Sequence, residues 1–81
     1  MNNQSTIRFG VIGAGRIGKI HARNLATCVP GARVTMIADP IEEAARELAG
    51  QLGVAHATAD YREVMNSPEV DAVAICSSTN T

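Results

Sequence analysis

The chain has 81 residues, 46% of them hydrophobic, and a formal net charge of −1. That length suits one small domain, and that apolar content predicts a folded globular one. The basic residues are scattered and Lys19 is the only lysine, which argues against a nucleic-acid binder and gives no pull towards an anionic membrane. No apolar run approaches the ~20 residues of a membrane helix, and Met1 to Thr6 lacks the basic and apolar regions of a signal peptide. Phe9 and Tyr61 are the only aromatics, so the core is expected to be aliphatic. Cys28 and Cys76 form no CxxC and are expected to be two small buried hydrophobes, pointing to a reduced, cytoplasmic setting.

Residues 1–6 read as a flexible N-terminus. Ile7 to Ile12 reads as a buried strand stopped by Gly13. Arg16 to about Val29 reads as a helix: Ile17, Ile20 or His21, Leu25 and Cys28 recur at helical spacing, and Pro30-Gly31 ends it. Arg33 to Ala38 is a second strand. The clearest helix follows, with Ile41, Ala44, Ala45, Leu48 and Leu52 as one apolar stripe, Pro40 at its first position and Gly53 as its stop. Glu42 and Arg46 are placed to pair along it. Val54 to Ala57 is a short third strand. Asp60 with Glu63 fits a capping box for a helix through about Met65. Asp71 to Cys76 is a last strand whose unbroken apolar run predicts burial on both faces, as in a parallel sheet.

Alternating strands and helices with right-handed crossovers predict an α/β fold. The expectation is the first half of a doubly wound, Rossmann-type parallel sheet in the order 3-2-1-4, over residues 7–81. An apolar strand left at a sheet edge is a liability, so the sequence is expected to be truncated relative to the working protein.

Gly13-Ala14-Gly15-Arg16-Ile17-Gly18 is a GxGxxG placed between a predicted strand and a predicted helix, the context a dinucleotide fingerprint requires. Gly13 allows the tight turn, Gly15 lets a pyrophosphate approach the backbone, and Gly18 lets helix and strand pack closely. Amides at the helix start, including those of Arg16 and Ile17, can then donate to phosphate. Asp39 ends the second strand about 20 residues on, where a carboxylate accepts from the adenine ribose 2′-hydroxyl and repels a 2′-phosphate. This selects NAD over NADP. The competing reading makes Asp39 the cap of the next helix, with Glu42 completing a box. Ser77, Ser78 and Thr79 follow the fourth strand at the carboxyl edge of the sheet, where ligands bind, and could equally be an ordinary polar loop.

Gly10-Val11-Ile12-Gly13-Ala14-Gly15-Arg16-Ile17-Gly18, then His21-Ala22-Arg23-Asn24, resembles the N-terminus of the Gfo/Idh/MocA oxidoreductases. Ala38-Asp39-Pro40, Tyr61 and Val70-Asp71-Ala72-Val73 extend the resemblance over nearly the whole chain. It implies hydride transfer between a nicotinamide ring and a hydroxyl-bearing carbon of a sugar or polyol of inositol type. It also implies a C-terminal substrate domain that often makes an oligomer. By the same resemblance Gly13, Gly15, Arg16, Ile17, Gly18 and Asp39 match cofactor-binding positions, and Ser77, Ser78 and Thr79 match a loop near the cofactor's ribose. Many members have proline where this chain has Ser78. The family's catalytic lysine lies in a Glu-Lys-Pro motif and its proton-handling Asp and His in the second domain. None of these is present here, and Lys19 does not match that lysine.

The expectation is therefore the NAD(H)-binding part of an NAD-dependent dehydrogenase, with no catalytic residue and no metal site of its own, inactive alone. Its partners would be a sugar or polyol bound by the missing domain and, in the full-length protein, further copies of itself. An NAD-sensing regulatory module without redox chemistry is the alternative, and an FAD-binding Rossmann domain is a further one.

Overall fold

A computed structural model describes residues 6–76. In chain order its elements are β1 (Ile7–Ile12), α1 (Arg16–Thr27), β2 (Ala32–Ala38), α2 (Glu42–Leu52), β3 (His56–Thr58), α3 (Tyr61–Met65) and β4 (Ala72–Ile75). All strand pairs are parallel, and the order is β3-β2-β1-β4, as expected. β1 and β2 are therefore neighbours inside the sheet, and the turns that leave them emerge side by side.

α1 and α2 share one core with the sheet, built on Val11, Ile37, Ala22, Ala45 and Leu48. α3 packs on the other side, where Val64 meets Met36 and Ala38. Ile37 and Leu48 have no exposed surface, and burying such a side chain contributes about 1.5–3 kcal/mol. Phe9 pairs with Val34 but Gly10 pairs with Met36, so Thr35 is an extra residue in β2. This bulge shifts the strand's phase. Val34 then joins the α1–α2 core and Met36 the α3 core, while Thr35 Oγ1 donates to the Glu69 carbonyl oxygen at 2.9 Å. Neither the bulge nor the role of Gly10 is visible in the pattern. A Cβ on Gly10 would overlap Val64 Cγ1, so the missing side chain is what lets α3 lie against β1.

Arg8 and Asp71 clamp β1 to the start of β4. The guanidinium donates to both carboxylate oxygens at 2.9 and 3.0 Å, the Arg8 N–H donates to Asp71 Oδ2, and the Asp71 N–H donates to the Arg8 carbonyl oxygen. This pairing pulls the Asp71 carboxyl down to about 2.

Several expectations are corrected. α1 ends at Thr27, short of Val29, and it buries Gly18 and Ala22, not Ile17 or Ile20, which are exposed. Small residues bring the helix axis close to the sheet, and this leaves the larger side chains at the rim of the contact. Cys28 is exposed, because it lies past the last turn as the C-cap; Cys76 is buried as expected. α2 starts at Glu42, so Pro40 is not its first residue and Ile41 is an exposed N-cap. The rest of its stripe holds, as do the Glu42–Arg46 pair at 3.0 Å and the left-handed Gly53 at φ 73°. The Val54 N–H donates back to the Ala49 carbonyl oxygen, so the helix ending uses Val54 and the strand begins at His56. At α3, Asp60 caps the Arg62 N–H, but its own N–H goes to Thr58 Oγ1, so Glu63 does not close the box. β4 is not buried on both faces: it is an edge strand among the described residues, and Ile75 is 68% exposed.

Candidate functional site

The site is built where β1 and β2 end. Gly13 leaves β1 at φ 107°, a left-handed conformation open to glycine, and its N–H donates to the Ala38 carbonyl oxygen at 2.7 Å. Ala14 is buried, and its N–H donates to Asp39 Oδ2 at 2.7 Å. Gly15 is the N-cap of α1, extended and exposed. The first intrahelical bond is Lys19 N–H to the Gly15 carbonyl oxygen. The amides of Arg16, Ile17 and Gly18 come before it. No side chain caps them, and no acidic residue lies in the first turn. Among the described residues no side chain takes up the amides of this positive helix end, and the carboxylate bonded beside it is that of Asp39, on the Ala14 amide.

The glycines have distinct surroundings. A Cβ on Gly18 would overlap the Gly13 carbonyl oxygen, so Gly18 lets the turn nest on the helix. A Cβ on Gly15 would meet nothing within 4 Å. Among the described residues no atom fills that space, as a cradle for a close-approaching ligand requires.

Asp39 is held on both sides. Its N–H donates to the Thr58 carbonyl oxygen at 3.1 Å, Oδ2 accepts from Ala14 and Oδ1 accepts from the Ile41 N–H at 2.8 Å. The second bond is a local turn around Pro40, and it keeps Asp39 outside α2. The helix-cap alternative for Asp39 is therefore not what the fold uses.

Gly13, Gly15 and Asp39 meet in one cleft of about 280 Å³. Ile12, Ala38, Pro40, Ala59, Tyr61 and Cys76 complete its lining. Of the other expected positions, Arg16 and Ile17 are exposed on the first turn of α1 and do not line the cleft, and Gly18 is buried beneath the turn. Ser77, Ser78 and Thr79 lie outside the described residues. Sequence reasoning missed Pro40, Ala59 and Tyr61 as walls. Pro40 follows Asp39 directly, while Ala59 and Tyr61 are drawn in by the short β3 and the Asp60 cap, which bring the start of α3 to the same edge. Burial pushes the Cys76 thiol up, so Cys76 offers the cleft a neutral wall. Among the described residues, no three His, Cys, Asp or Glu side chains are grouped to hold a metal ion, and no helix is long and apolar enough to cross a membrane.

The profile of the Gfo/Idh/MocA oxidoreductases, a family with an NAD-binding Rossmann fold, matches residues 7–81. The chain belongs to this family. Its relatives include the myo-inositol 2-dehydrogenase of Thermotoga maritima, 49% identical over 93% of this chain and 22% of that protein. The scyllo-inositol 2-dehydrogenase (NAD(+)) of Bacillus subtilis is 41% identical over the same shares. A crystal structure of scyllo-inositol dehydrogenase from Lactobacillus casei, with bound NAD(H) and scyllo-inositol, superposes with a TM-score of 0.83 at 33% identity. That match covers 90% of this chain and 22% of the other. The chain spans about a fifth of the length of these relatives (22%) and corresponds to the family's NAD-binding portion. Membership in an NAD-binding oxidoreductase family sets the flavin alternative aside.

Proposed function

We propose that this chain holds the ADP-ribose part of NAD(H) in the cleft between the glycine turn and Asp39. The carrying observation is that Gly15, where an added Cβ meets no described atom within 4 Å, opens at the uncapped start of α1 in the same cleft as that carboxylate. The pyrophosphate lies against Gly15 and accepts from the Arg16 and Ile17 amides, and the helix dipole favours its charge. Asp39 accepts from the adenine ribose 2′-hydroxyl. Each of its oxygens has already accepted one amide, and a carboxylate retains further lone pairs. Pro40, Ala59 and Tyr61 wall the adenosine side of the cleft. The Asp39 carboxylate itself disfavours a 2′-phosphate.

The protein that uses this portion is, in this reading, a polyol dehydrogenase acting on an inositol-type hydroxyl. The reading rests on family membership and on the names of the relatives above. Bound nicotinamide supplies the hydride acceptor. The residues here orient it and perform no proton transfer themselves.

The test is turnover by the intact protein with NAD+ and a panel of myo-inositol, scyllo-inositol and monosaccharides, followed by NADH formation. Reduction of NAD+ with a cyclic polyol is expected. Tight NAD+ binding with no reduction by any member of the panel would contradict the dehydrogenase reading and favour a nucleotide sensor.

A further inference from the structure

We infer that Asp39 is also a positioning residue for the glycine turn: its carboxylate latches the buried Ala14 amide and so fixes the backbone on which the pyrophosphate is bound. The inference rests on the proposed nucleotide site and adds a second task for the same side chain.

Ala14 is 1% exposed, so its N–H has no access to water, and the 2.7 Å bond from Asp39 Oδ2 is the partner it has. Losing that partner orphans a buried donor. The latch is itself rigid. The Thr58 carbonyl oxygen holds the Asp39 backbone, and the Ile41 N–H holds Oδ1, so the carboxylate swings away only by giving up the turn at Pro40. On the other side, Gly13 is tied to Ala38 by a main-chain bond. Two bonds, one main-chain and one side-chain, therefore join the glycine turn to the end of β2. The side-chain bond falls between the two glycines that shape the phosphate cradle. Specificity for the ribose and geometry of the cradle then depend on one group. An Asp39→Ala change made to admit NADP would not only lift charge repulsion; it would also loosen the pyrophosphate site.

A direct ribose contact and a latch separate in a chemical cycle. The intact protein and its Asp39→Ala and Asp39→Asn variants are titrated with NAD+ and with the NAD+ analogue whose adenosine ribose lacks both hydroxyls. If Asp39 only touched the ribose, the analogue would bind wild type and Asp39→Ala equally. The latch predicts that Asp39→Ala binds the analogue about tenfold more weakly than wild type, in line with an orphaned buried donor. Asp39→Asn keeps one acceptor oxygen, for either the Ala14 or the Ile41 amide, and turns its NH2 group towards the other donor, so it recovers only part of that loss. Hydrogen exchange of ligand-free wild type supplies a second readout that needs no variant. The Ala14 amide is expected to exchange as slowly as the β1 core, and fast exchange there would overturn the latch. Equal analogue affinity in wild type and Asp39→Ala would also overturn it. Failure of wild type to bind NAD+ at all would overturn the nucleotide site itself and the latch with it.

Discussion

Gly15 and Gly18 look alike in the GxGxxG string, and the structure makes their tasks opposite. Gly18 is closed in: a methyl group there runs into the Gly13 carbonyl oxygen. Gly18→Ala is therefore expected to destabilise the protein by roughly 2–3 kcal/mol, read from urea unfolding, because a backbone atom cannot step aside as a side-chain tip would. Gly15 is open, and its φ of −76° suits any residue. Gly15→Ala should change stability by less than about 0.5 kcal/mol yet weaken NAD+ binding about tenfold, since the methyl group fills the space assigned to pyrophosphate. An equal loss of stability in both variants would refute this division. The spacing already put Gly15 on the open side and Gly18 in the packing; what it could not show is that the atom crowding Gly18 is the Gly13 carbonyl oxygen. Asp39 was readable as either a ribose ligand or a helix cap. The Ile41 N–H bond and a helix that starts at Glu42 take away the cap reading. Tyr61 carried no site signal of its own, since its place in the cleft depends on β3 and α3, which are remote in sequence from the glycine turn.

The strands and helices were legible because each has a period or a stop. β1 over Ile7–Ile12, the Gly53 end of α2 and the Asp60 cap of α3 all follow from local chemistry. What was not legible depends on neighbours. The Thr35 bulge exists because Val34 and Met36 serve different cores, and α1 chose Gly18 and Ala22 over its isoleucines because contact distance decided the face. The Arg8–Asp71 clamp joins elements far apart in sequence and was likewise invisible. Its effect on pH dependence follows from sign. The Asp71 carboxyl is lowered from 3.8 to about 2 in the fold. A depressed carboxylate stabilises fully above its unfolded value, and the effect is lost as pH falls from about 5 towards the folded value. The unfolding midpoints of wild type and Asp71→Asn should therefore differ at neutral pH, with wild type the more stable, and converge as pH approaches 2. A gap that stays constant through acid would contradict a role for the ionised pair.

For the whole molecule, the 3-2-1-4 order is what gathers the site. It sets β1 beside β2, so the glycine turn and Asp39 share one edge, and it returns β3 and β4 to the flanks. Family membership and the NAD-binding fold then agree with what the residues do locally. The substrate is another matter. This chain spans 22% of the length of its named relatives, and its cleft is lined by the groups proposed to hold a nucleotide. Nucleotide choice is therefore the property that decides the role of Asp39. A calorimetric titration of the intact protein with NADH and NADPH, side by side, tests it. Asp39 should make NADH bind at least about tenfold more tightly, because like charges brought together at a 2′-phosphate are costly. Equal affinity, or tighter NADPH, would contradict the assignment of Asp39 to the ribose and of this cleft to NAD.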